Sequence, residues 1–121
     1  MIFTEFILHF MDRTFVDRIA LDAERQRARD VAQALLDGQT TVLEAVRALS
    51  FLAHTDAIVD VEDRRLIIAI DSQTDHLPAG DVRKLWAADS LAIKDTEIKR
   101  WEDVYKAQLV ETCKRIVGTR Q

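Results

Sequence analysis

The chain has 121 residues, 48% of them hydrophobic and 31% charged, and its 17 Lys and Arg against 21 Asp and Glu leave a net charge of -4. That length suits one domain able to bury a core without disulfides or a structural metal. The acidic balance lacks the basic footprint that phosphate backbones require, so direct binding of nucleic acid is not expected.

Three glycines and one proline leave few places for the tight turns of sheets. The expected fold is all-α, a single-domain bundle of about five to six helices over residues 1–121, with an apolar N-terminal segment at 1–11 and a helical core at 12–118. The opening MIFTEFILHFM has the look of a signal sequence, but it lacks a basic start, is broken by Glu5 and His9, and runs into charged residues without a small-residue cleavage site. It is also too short to span a bilayer, so no membrane association is expected. The single cysteine, Cys113, falls in an apolar helical stripe, which predicts a buried thiol in a reducing, cytoplasmic setting.

From Asp12 or Thr14 to Asp37, apolar residues recur at three- and four-residue spacing, first Phe15, Val16, Ile19, Ala20 and Ala23, then, after a phase slip near Glu24, Ala28, Val31, Ala32, Leu35 and Leu36. Gly38 is placed to end this helix in a left-handed conformation. Thr41 and Glu44 have the spacing of a capping box that opens a helix to about His54, with Val42, Leu43, Val46, Leu49 and Ala53 inward. Acids at Asp60, Glu62 and Asp63 suit the start of another helix carrying Leu66, Ile67 and Ile70, although LIIAI is also compatible with a strand. Asp81 can cap a short helix through Trp86 and Ala87, and Asp95 or Thr96 a long last one. In that last helix Ile98, Trp101, Tyr105, Leu109, Thr112, Cys113 and Ile116 line one face, and basic residues occupy much of the rest.

The stretch from Ile70 to Trp86, IDSQTDHLPAGDVRKLW, holds the only proline. As a plain connector it would end one helix at Asp71 and Ser72, plug the core with Leu77, and restart at Gly80 and Asp81. It carries more polar side chains than a turn needs, which also suits a recognition surface. Asp71, Asp75 and His76 have metal-ligand chemistry, but the chain offers no fourth ligand and no thiolate set, so no metal or other cofactor is expected. No nucleophile elbow, P-loop, dinucleotide fingerprint or His-Glu-x-x-His occurs, and no catalytic residue is assigned. His9 and His54 fit helical positions with backbone partners.

Divided by segment, the net charge is -2 over residues 1–37, -4 over 38–80 and +2 over 81–121. An acidic middle is either a solvated face or a docking surface for a basic partner.

Residues Ala69 to Pro78, with Gly80, Arg83 and Trp86, resemble the central signature of a family of small helical bacterial proteins that includes immunity proteins of contact-dependent growth inhibition and related polymorphic toxin systems. The similarity covers roughly residues 27–117, with Gln73 where the pattern usually has an acid. The resemblance implies a cytoplasmic protein that is not an enzyme and neutralises a cognate toxin domain by direct contact. Such a toxin is often a nuclease with a basic active-site cleft. On that reading the partner-binding residues are Asp60, Glu62, Asp63, Asp71, Asp75, His76 and Asp81, with Trp86 as an aromatic anchor. Trp86 also shares a helical face with Val82 and Leu85, which predicts a core position for all three. The alternative is a helical adaptor or regulatory module that engages a protein, or a second copy as a homodimer, through Ile2 to Met11.

Overall fold

The computed structural model describes the backbone of residues 2–118 and the side chains of residues 15–118. The fold is all-α, and no strand occurs among the described residues. Four α-helices, α1 (Ile2–Leu36), α2 (Val42–Ala53), α3 (Val61–Thr74) and α4 (Ala88–Gly118), are joined by short turns and by a 3-10 helix at Gly80–Leu85. The ambiguous LIIAI is therefore helical, its Ile67 and Ile70 buried on one face of α3.

Turn chemistry explains the boundaries. At the end of α1, Gly38 N–H donates to Leu35 O at 3.1 Å and Gln39 N–H to Ala34 O at 2.8 Å. This paired closure needs a left-handed residue, which Gly38 supplies at φ 72°. Thr41 caps α2, its hydroxyl accepting from Glu44 N–H at 3.1 Å. The reciprocal half of the expected box is absent, because the Glu44 carboxylate accepts from the Thr40 hydroxyl instead. Asp60 caps α3 by accepting from the amides of Glu62 and Asp63.

Two helices depart from the expected bounds. The backbone is helical from Ile2 onward, so among the described residues no break separates residues 2–11 from the helix after them. α4 starts at Ala88, a full turn and more before Asp95 or Thr96. Both helices are long, about 50 Å for α1 and about 45 Å for α4 at the usual rise per residue.

Buried side chains from all four helices meet in one core. α1 contributes Ala28, Ala32 and Leu35, whose small alanines allow α2 and α4 to approach closely. Leu49 and Leu52 of α2, Ile67 of α3 and Leu109 and Cys113 of α4 are almost completely buried. Each such aliphatic side chain contributes about 1.5–3 kcal/mol relative to exposure. α4 returns antiparallel to α1: its end at Arg115–Gly118 shares a cleft with Arg25 and Arg29, and its middle lies beside Thr41–Glu44. The phase slip near Glu24 marks the point where α1 leaves the bundle. Phe15, Val16 and Ile19 before it are more than half exposed, whereas Ala28 and Ala32 after it are fully buried.

Candidate functional site

The segment between α3 and α4 is organised by one side chain from outside it. Arg47, on α2, donates to Asp71 Oδ1 at 2.7 Å and to Thr74 Oγ1 at 3.1 Å through Nη1. Through Nη2 it donates to the carbonyls of Thr74 and Leu77, the latter at 3.0 Å. A helix end leaves carbonyls without partners, and here a guanidinium supplies the donors. Thr74 is fully buried and its hydroxyl donates back to Ile70 O at 2.7 Å. Leu77 is 3% exposed and plugs the core, as the sequence predicts.

Further bonds fix this segment and tie it and the end of α3 to α4. His76 Nε2 lies 2.8 Å from Glu97 Oε1, and because a carboxylate only accepts, Nε2 carries the proton of that bond. Arg83 reaches Asp95 at 2.8 Å and donates to Pro78 O at 3.3 Å. Tyr105 donates to Gln73 Oε1 at 3.0 Å while stacking on Trp101. The bond from His76 holds the Glu97 carboxyl below its ordinary pKa, and the bond from Arg83 does the same for Asp95.

On this fixed support the 3-10 helix displays its remaining side chains. Residues three apart eclipse in a 3-10 helix, so Val82 and Leu85 share one face, and they are 52% and 86% exposed. The expectation that Val82 and Leu85 lie in the core is corrected: the tighter turn directs Arg83 inward to Asp95 and leaves the two apolar residues outward. Trp86 is half-buried, neither a core residue nor a free anchor. Asp81 caps nothing. The cap position is Ala79, without a side-chain bond, and Asp81 stands in solvent with Lys84 at 3.4 Å. Asp75 is exposed beside His76.

The remaining expected contact residues separate into different roles. Asp63 is 3% exposed and cannot face a partner; it accepts from Arg115 Nη2 at 2.6 Å and from the Thr112 hydroxyl at 3.2 Å. Asp71 is bound by Arg47. Asp60 is engaged as the α3 cap, and Glu62 pairs with Arg65 at 3.0 Å. Moreover, Asp60, Glu62 and Asp63 lie at the start of α3 and the others at or beyond its end, about 20 Å apart along the helix. The acidic middle of the sequence is thus not one outward surface. It consists largely of carboxylates matched within the chain; at the α3–α4 corner Asp75 and Asp81 are exposed, beside His76 and Lys84.

No three His, Cys, Asp or Glu side chains converge as a metal site among the described residues. Cys113 is buried, and burial pushes its thiol up to about 11. His54 is exposed at the end of α2, and the side chain of His9 lies outside the described residues. Sequence reasoning gave Arg47 and Glu97 no role, placed Arg83 only within the family signature, and read Asp95 as a helix cap instead of the partner of Arg83. Arg47 left a trace as the lone cation of α2. No helix among the described residues is long and apolar enough to cross a membrane. Comparison with known proteins gives no match, either to a family model or to a curated protein or solved structure.

Proposed function

We propose that this protein acts by binding another protein through the corner between α3 and α4, as an immunity protein that neutralises a cognate toxin domain. The observation that carries it is the contrast at that corner: a non-α segment fixed by Arg47, His76 and Arg83 nevertheless presents Val82 and Leu85 to solvent, with Asp75 and Asp81 exposed on the same segment. Rigidly held apolar side chains with a charged rim are the usual anatomy of a protein interface. The resemblance of residues 69–86 to the immunity-protein signature supports the more specific role. The partner surface would offer an apolar depression for Leu85 and Val82 with basic residues for Asp75 and Asp81. Asp63 and Asp71 have no part in that contact, and the broad acidic docking surface expected from the middle of the sequence is replaced by an apolar contact with two exposed acids on the same segment.

The test is coexpression with the product of the reading frame immediately upstream. Support would be protection of the host together with a copurifying complex that Leu85→Asp abolishes while leaving the melting midpoint unchanged. No protection and no complex would overturn the immunity role; a complex indifferent to Leu85→Asp would overturn the surface.

A further inference from the structure

At the opposite end of the bundle, where α1 departs, lies a cleft of about 470 Å³. Its floor is apolar, formed by Ala57, Ile58, Val59 and Ile116, and its walls carry Arg25, Arg29 and Arg115 with Asp60 and Asp63. The size is within the range of small-molecule sites.

The charges of this cleft are unusual for the molecule. Among the described residues six cationic side chains are half-buried, and Arg47, Arg64, Arg83 and Lys94 each have a carboxylate within 4 Å. The other two are Arg25 and Arg29, one helical turn apart on α1 and both in this cleft. Arg25 Nε donates only to a backbone carbonyl, Asp56 O, at 3.4 Å, and Arg29 Nη2 to the neutral Gln26 side chain at 2.9 Å. Partial burial without a counter-charge is unfavourable, and an incoming anion relieves it. Both carboxylates of the cleft have other work, Asp60 on the α3 amides and Asp63 on Arg115.

We propose that this cleft binds a small organic monocarboxylate, its carboxylate between Arg25 and Arg29 and its apolar body on Ile58, Val59 and Ile116. The Asp60 and Asp63 carboxylates that share the cleft with Arg25 and Arg29 repel a second ligand charge, which favours a singly charged ligand over a doubly charged one. The apolar floor demands a hydrocarbon body that acetate lacks. The site is separate from the α3–α4 corner, so it stands or falls independently of the immunity role.

The probe is octanoate, titrated into the full chain by calorimetry and by methyl NMR. Expected are saturable shifts at Ile58, Val59 and Ile116, with Arg29→Gln weakening binding about fivefold or more and Arg25→Gln doing likewise. Arg27→Gln, exposed and outside the cleft, should leave affinity unchanged, and equal melting midpoints verify that the variants fold. Octan-1-ol binding as tightly as octanoate, octyl phosphate binding more tightly, or Arg27→Gln weakening binding as much as Arg29→Gln would each overturn the proposal, as would the absence of any shift with octanoate.

Discussion

The two halves of α4 are held by different physics. Its second half fits into the core through Leu109, Cys113 and Ile116, buried among alanines and leucines that exclude water. Its first half is held by directional bonds, Glu97 to His76 and Asp95 to Arg83, joined just past the midpoint by Tyr105 to Gln73, with Ile93 and Val104 left to solvent. Apolar burial fixes the fold without demanding particular partners, whereas a bond network of this kind holds an irregular segment in one shape. That difference is why the α3–α4 corner, and not the core end, can present a defined surface.

Breaking the apolar half should have the largest effect. Leu109→Ala removes a fully buried side chain, and chemical denaturation should show a loss of about 2–5 kcal/mol. Arg47→Ala comes next, at about 2–3 kcal/mol, because it removes the donor to the half-buried Asp71 carboxylate and to the Leu77 carbonyl. Arg47→Lys should recover only part of that, since one ammonium cannot span the positions a guanidinium fork reaches. Asp71→Lys should also destabilise, by placing a cation against Arg47.

The polar half should respond to acid. Glu97 and Asp95 have folded-state pKa values below their unfolded ones, so the stability they lend is complete above the unfolded values and is lost as pH falls through the lowered folded values. Glu97→Gln combined with Asp95→Asn should therefore flatten the decline in melting midpoint below about pH 4–5. An unchanged acid limb would mean that these bonds do not form in solution. Cys113 sharpens the contrast from the buried side: with its thiol raised to about 11, it should resist thiol reagents at neutral pH until the protein unfolds. The smallest stability change is expected at the display face, where Val82→Ser with Leu85→Ser should alter unfolding by no more than about 0.5 kcal/mol while removing partner binding.

Much of the fold is legible in the sequence because it follows local rules. The Gly38 closure, the Thr41 cap, the acids that open α3 and the buried stripe of Leu109, Thr112, Cys113 and Ile116 come from spacing and residue chemistry alone. The phase slip near Glu24 is legible as well, but its meaning, that Phe15 and Ile19 face away from the core, depends on where α4 ends. The site is harder to read because its carboxylates look alike in sequence. Asp63 and Asp75 differ only in what the fold brings to them, an arginine 52 residues on for one and open solvent for the other. Val82 and Leu85 mislead for a related reason: on an α-helix they would join Trp86 inward, and the 3-10 geometry reverses that.

The central claim is that the connector after α3 is a built platform. Outside the α-helices, Leu77 N–H donates to Thr74 O at 3.0 Å and Trp86 N–H to Arg83 O at 3.2 Å. Amide hydrogen exchange at these two positions tests the claim most directly. Both amides should be protected at least about 100-fold relative to an unstructured chain, with Arg47→Ala removing the protection at Leu77. Exchange at the unstructured rate in the native protein would contradict it.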